Sequence, residues 1–321
     1  MNKTAKKFLA QYNDYPKPLR KGKYTFVSVM IIPSVIAWLV FYVAVNLESI
    51  LLAFQQFQGY ASDGKTEIYT WGFGNFEKLY KELTSSAYTS GQFKGALRNT
   101  LFLFVTGNLV VFPMQFVISY YLYKRYAGTK SFMWILYLPD ILSTVVMVTI
   151  FKNVVSANGL INALSQELGG KPVATLLTAE ETAKWMVFLY NTWVGFAGSF
   201  ILLTAEMRRI PVELTEAAVL DGINKWQEFF HIILPMIFPT VQILILQKVT
   251  GLLSADGPIL LLTGGGADTY TIGFWFYSQV ILSHSYEYPS AIGLSMTAVV
   301  APLALFIRWW TNKIQKGFEG D

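Results

Sequence analysis

Two ionisable residues stand inside otherwise apolar runs of this chain. Asp140 interrupts Ser131–Phe151, and Lys248 interrupts the run from Ile232 to about Ser254. A charge within hydrocarbon costs about 2.5–3.5 kcal/mol on insertion scales, so such residues pair or face a cavity. At the helical rise of about 1.5 Å per residue, both fall at similar depth. Either they neutralise each other or a charge on a neighbouring chain, or they line the path of a polar solute. Tyr190 and Asn191 add an aromatic face and an amide in a further apolar run, groups that suit a hydroxyl-rich solute and also serve packing. Asp256, beside Gly257-Pro258, stands near the end of the Lys248 run, where it faces water or solute.

This chemistry is binding rather than catalysis. There is no cysteine, so thiolate nucleophiles, thiolate metal sites and disulfides are excluded. His231 and His284 are the only histidines, too few for a His-rich metal site. No paired carboxylates stand at a spacing suited to acid–base work, which argues against a membrane enzyme. The "GGKP" at Gly169–Pro172 lacks the GxxxxGK[ST] spacing of a phosphate-binding loop, so the chain is not expected to hydrolyse ATP. No catalytic residue, metal or resident cofactor is expected.

The elements that position these residues are membrane spans. Of 321 residues, 53% are hydrophobic and 14% charged, against about 25% charged in soluble domains. Six runs are long enough to cross a bilayer. They are Tyr24–Leu47, Asn99–Tyr123, Ser131–Phe151, Trp185–Ala205, Ile232 to about Ser254, and Tyr288–Ile307. The first is too long for a signal-peptide core and has no small-residue cleavage site after it, so an uncleaved span is expected. The net charge of +5 gathers at span ends, not in a nucleic-acid-binding patch. Lys3 to Lys23, Lys124–Arg125–Lys130, Arg208–Arg209, and Arg308–Lys313–Lys316 fall on one side of a six-span chain. Basic flanks mark the cytoplasmic side, so both termini are expected inside. The 48–97 and 156–183 loops and the stretch after about 263, which opens with Gly264–Gly266, then face out.

Between the fourth and fifth runs lies EAAVLDGINKWQEFFHIILP, Glu216–Pro235. Pro211 suits a first helical turn. Leu214 and Ala218 share one line of the following helix, with Glu216 roughly opposite. Ala217 and Ala218 are small enough for close backbone approach. Asp221-Gly222 ends that helix, since glycine readily takes a positive φ. Trp226, Phe229, Phe230 and Ile233 then recur at i, i+3, i+4, i+7, the face of a second helix. Pro235 and Pro239 mark entry into the fifth span. Residues alone leave two readings, an amphipathic connector on the membrane surface or a docking element for a cytosolic partner.

The stretch PVELTEAAVLDGINKWQEFFHIILPMIFPT resembles the EAA loop of permease subunits of bacterial ABC importers. Glu216-Ala217-Ala218, Gly222, Ile232 and Leu234-Pro235 stand where that pattern has EAA, glycine and I-x-LP. Ile210, Pro211, Glu213, Leu214, Asp221 and Gly222 match the IP-x-EL-x-EAA-x-x-DG version of carbohydrate-uptake permeases, with Ile223 where alanine is common. "GFGNF" at Gly72–Phe76, "ALRNTLFLFV" from Ala96, "LPDILSTVVMVTIFKNVVSANGLINALS", and "LLTGGG" at Leu261–Gly266 resemble further family elements, with Ala267 in place of a proline. The resemblance covers roughly residues 25–315.

The resemblance implies an all-α integral membrane protein with the type I ABC importer permease fold, lying multi-pass in the bacterial cytoplasmic membrane. It implies one half of a transmembrane dimer, here a heterodimer with a second permease subunit, two cytosolic ATPase subunits and an extracellular or periplasmic solute-binding protein. Neither nucleic acid nor a bound cofactor is implied, since ATP belongs to the partner subunits. Glu216, Ala217, Ala218, Asp221, Gly222, Leu234 and Pro235 become the ATPase-docking residues. Tyr190, Asn191, Lys248 and Asp256 become solute-path candidates, and Asp140–Lys248 a candidate intramembrane pair. Expected divisions are a basic leader at 1–24, the first span and long loop at 25–95, a five-span core at 96–312 with the docking loop at about 207–236, and a tail at 313–321. The expected cargo is a carbohydrate, in the first instance an oligosaccharide. Glycerol phosphate or a peptide is the alternative cargo, and a self-sufficient secondary transporter the alternative class.

Overall fold

The structure is a computed structural model that describes residues 21–60, 67–85, 93–169, 176–254 and 257–320. Six helical stretches are long and apolar enough to cross a membrane: Tyr24–Ala53, Phe93–Tyr123, Thr144–Glu167, Glu180–Met207, Lys225–Thr250 and Glu287–Phe318. The chain divides into two compact units, residues 1–73 and 74–321.

In the first unit, helix α1 (Lys21–Trp38) passes through a π-helical turn, Leu39–Ala44, into α2 (Val45–Ala53). None of the apolar window of this span is buried within the chain, so its side chains are left for lipid or another subunit. An antiparallel hairpin follows, β1 (Gln55–Tyr60) with β2 (Glu67–Trp71), bulged between Phe57 and Gly59. The all-α expectation missed this hairpin. Its strands hold β-favouring residues such as Ile68, Tyr69 and Thr70, and Phe57 meets Tyr69 edge-on across them at 5.9 Å between ring centroids.

The second unit opens with α3 (Gly74–Thr84) and the long α4 (Phe93–Tyr123). Helices α5 (Thr129–Ile141), α6 (Thr144–Val155) and α7 (Leu160–Glu167) follow. The expected span Ser131–Phe151 is therefore two helices, and the stretch long enough to cross a membrane is Thr144–Glu167. Pro139 supplies no N–H to the α5 ladder, and Leu142 and Ser143 turn extended. The Ser143 hydroxyl then caps α6 by accepting from the Val146 N–H at 3.5 Å.

Helix α8 (Glu180–Met207) packs along α4. Polar side chains aimed at backbone carbonyls fasten the two. Gln115 Nε2 donates to the Gly195 carbonyl at 2.7 Å, and Ser119 Oγ to the Phe200 carbonyl at 3.1 Å. Away from water such bonds between helices stabilise association where apolar burial does little. After α8 come α9 (Val212–Leu220), the single turn α10 (Lys225–Glu228), a π-helical turn Phe229–Ile233, and α11 (Leu234–Thr250). The chain ends through the short helices α12 (Ile259–Leu262) and α13 (Ile272–Tyr277) and the long α14 (Glu287–Gly320), which packs on α11.

Candidate functional site

The segment Pro211–Pro235 is two helical limbs joined at Gly222. Helix α9 closes in a reciprocal pair of bonds: the Ile223 N–H donates to the Ala218 carbonyl at 3.0 Å, and the Gly222 N–H to the Val219 carbonyl at 3.1 Å. This closure requires a left-handed residue, and Gly222 has φ +73°. Asn224 starts the second limb with a reciprocal cap, its side chain accepting from the Gln227 N–H and the Gln227 side chain accepting from the Asn224 N–H. Pro235 cannot donate to the ladder at the start of α11, and the preceding turn is widened to π geometry.

Thr215 and Ala218 are the buried side of α9. Leu214 is exposed although it shares a line of the helix with the buried Ala218. Positions three apart set the buried line here, and the fully apolar character of Val212, Leu214, Val219 and Leu220 hides the true face from pattern reading. Those four residues, together with Glu216, Ala217 and Asp221, form an open apolar surface with two carboxylates. Glu216 makes no ion pair among the described residues. Gly222 has no atom within 4 Å of a would-be Cβ, so its requirement is conformational and not steric.

The second limb is anchored by Glu228, a residue the pattern analysis passed over. Its carboxylate is nearly dry and takes the Lys124 ammonium at 2.5 Å and the Tyr120 hydroxyl at 3.0 Å. Phe229 reinforces the joint by meeting Tyr120 edge-on at 5.6 Å and Phe116 at 6.2 Å. Behind this joint, Ile233 and Ile237 pack with Leu203 and Met207, so the limb is continuous with the core beneath it. Trp226 and Phe230 stack on each other and remain exposed, lining an apolar cleft of about 700 Å³ beside α4. Lys124 had counted only as a basic flank. A lone glutamate inside the aromatic second limb was the available signal for its partner.

The solute-path candidates separate. Lys248 and Asn191 line one cavity of about 320 Å³ with Asn108, Gly107, Gly195 and Gly257. Its α4 wall, Leu103 to Val111, is the middle of that helix, so Lys248 lies level with mid-α4. Gly257 is pressed against the Asn191 amide, where a Cβ would overlap it, and its φ is +64°. Tyr190 is buried in the apolar core against Phe151, so it is not at the cavity. Asp256 lies outside the described residues. The expected Asp140–Lys248 pair does not form: Asp140 is exposed near the end of α5, and Lys248 lies over the Phe112 ring at 5.0 Å. The break after α5 is the physical reason, since depth along one straight helix does not set the direction of a side chain at a bend.

Six spans of this packing, with the jointed limb between the fourth and fifth, define a multi-pass membrane protein with the fold of an ABC importer permease subunit. A solved bacterial ABC transporter involved in import of the acidic polysaccharide alginate superposes with a TM-score of 0.77 at 24% identity, over 91% of this chain and 97% of that one. The same transporter bound to its alginate-pentasaccharide-loaded periplasmic protein also gives 0.77, over 92% of this chain and 96% of that one. In sequence the chain is similar to sugar-transport permeases. The multiple sugar-binding transport permease MsmF of Streptococcus mutans is 28% identical, over 88% of this chain and 96% of MsmF. The polygalacturonan/rhamnogalacturonan permease YteP of Bacillus subtilis is 28% identical, over 91% and 88%. The arabinooligosaccharide permease AraP of the same organism is 24% identical, over 90% and 88%. No family model matches the chain.

Proposed function

We propose that this chain is the membrane-spanning subunit of an ATP-driven importer that passes a carbohydrate, chiefly an oligosaccharide, through a pathway shared with a second permease subunit. The single observation that carries the coupling part of this reading is the jointed limb. It exposes Glu216 and an apolar surface at α9, while Glu228, Lys124 and Tyr120 fasten its other half to α4. Such a limb can transmit force: a partner seated on α9 moves α11 and α4 with it. The partners are two cytosolic ATPase subunits on the α9 side and a solute-binding protein on the opposite face. The basic flanks support a cytoplasmic position for α9 and both termini. The exposed apolar faces of the spans are consistent with a second permease subunit packing beside this one.

The test is uptake of labelled oligosaccharides by proteoliposomes holding the permease pair, the ATPases and the binding protein. Uptake should require internal-side ATP and stop in the Glu216→Lys importer. Uptake that continues without the ATPases would make the chain a secondary transporter. Uptake of peptides or glycerol phosphate in place of every oligosaccharide tried would replace the cargo and keep the machine.

A further inference from the structure

We propose that the cavity around Lys248 receives a carboxylate of the solute, so that the carbohydrate carried is an acidic, uronate-bearing oligosaccharide. This rests on the carbohydrate-importer reading and narrows it. Lys248 sits level with the middle of α4, in the last turn of α11, and the chain departs from α geometry at Gly251 just beyond that turn. Helices broken near the membrane midplane are where transport sites are built. A central ammonium ordinarily pairs with an acid. Among the described residues none is within ion-pair distance, and the nearest stabilising group is the face of Phe112. A ring face and a helix C-terminus both favour a cation. Neither consumes the charge as a bound carboxylate would, so it stays available to a ligand.

The other groups around it suit a sugar. Asn108 donates its amide to the Phe104 carbonyl at 2.7 Å, which leaves its side-chain oxygen to accept from a hydroxyl. Asn191 brings a second amide, and Gly107, Gly195, Gly251 and Gly257 leave room between the apolar side chains of Leu103, Phe104 and Val111 that complete the lining. Among the described lining residues there is one cation. One ammonium balances a monoanionic carboxylate better than a dianionic phosphate, which selects a uronate over a sugar phosphate.

The experiment uses the complete importer in proteoliposomes with two probes, trigalacturonate and its fully methyl-esterified, neutral form. The wild type should take up the acid. Lys248→Met should lower the acid-to-ester uptake ratio at least tenfold, chiefly through KM for the acid, and Lys248→Arg should restore most of it. Co-purification of the ATPases checks assembly. If Lys248→Met does not assemble, Lys248→Gln against Lys248→Arg gives the same comparison. An unchanged ratio in the assembled Met or Gln variant overturns the role of Lys248, whether Asp256 or a partner subunit neutralises it. Uptake of the ester but not the acid by the wild type overturns the acidic cargo and leaves the carbohydrate reading standing. Uptake of neither probe, nor of arabino- or galacto-oligosaccharides, brings down the carbohydrate reading itself.

Discussion

The two ends of α4 are fastened in different ways. At the Asn99 end, side chains hold backbone. Asn99 donates to the Asp268 carbonyl at 2.7 Å and the Tyr270 carbonyl at 2.9 Å, and Thr100 accepts from the Ile272 N–H at 2.9 Å. These bonds fix the shape of a loop whose Ala267 and Asp268 have positive φ, and the Asp268 carboxylate is itself held by Arg98 and Lys184. At the Lys124 end, side chain holds side chain: one carboxylate, Glu228, collects an ammonium and a phenol. The first arrangement uses α4 side chains chiefly to shape a loop. The second makes the position of the jointed limb depend on α4. Between them Gln115 and Ser119 tie α4 to α8 just beyond Pro113, so one helix runs from loop to limb.

Breaking the Lys124 end should have the largest effect on stability. Glu228→Leu leaves an ammonium that is only about one quarter exposed without its acid, a loss of about 3–5 kcal/mol. The double variant Lys124→Met/Glu228→Leu should recover most of the lost melting temperature in detergent. A double variant as unstable as the single would mean the pair itself is not the fastening.

The Asn99 end should yield less. Asn99→Leu removes both bonds to the loop carbonyls, at about 1–3 kcal/mol, and should open the 264–272 loop to protease while the limb stays closed. Equal protease sensitivity at both ends would erase the distinction between them.

Gly222→Val probes the joint directly. The site is sterically open, so the cost is the left-handed backbone alone, about 1–2 kcal/mol. The chain should insert and fold, yet retain less ATPase on purification. Glu216→Lys should change the melting temperature least, within about 0.5 kcal/mol as for other exposed sites, while weakening ATPase retention. Full retention in both variants would reduce the limb to a surface connector.

Much of the limb was legible because its signals are local. Asp221-Gly222, the Leu-Pro pair and the helix-forming run before them each act within a turn. Glu228–Lys124 was not legible, because its partners are 104 residues apart and only packing brings them together. Apolar length locates five of the six spans, whereas the third, expected at Ser131–Phe151, lies at Thr144–Glu167. The bend after Pro139 and the burial of Tyr190 depend on which neighbour each helix meets, and a run that is apolar all round does not encode it. Lys248 was legible as an anomaly of charge, whereas its separation from Asp140 followed only from the bend.

The central claim is that the α9 surface seats the ATPase, and single cysteines in this cysteine-free chain test it most directly. Leu220 at the end of α9 is 88% exposed and Leu168 just after α7 is 87% exposed. Leu220→Cys should react with a membrane-impermeant maleimide in inside-out vesicles stripped of ATPase, and be protected when the ATPase is added back. Leu168→Cys should react only in right-side-out vesicles and ignore the ATPase. Labelling of Leu220→Cys from the outer face, or at the same rate with and without bound ATPase, would contradict the account.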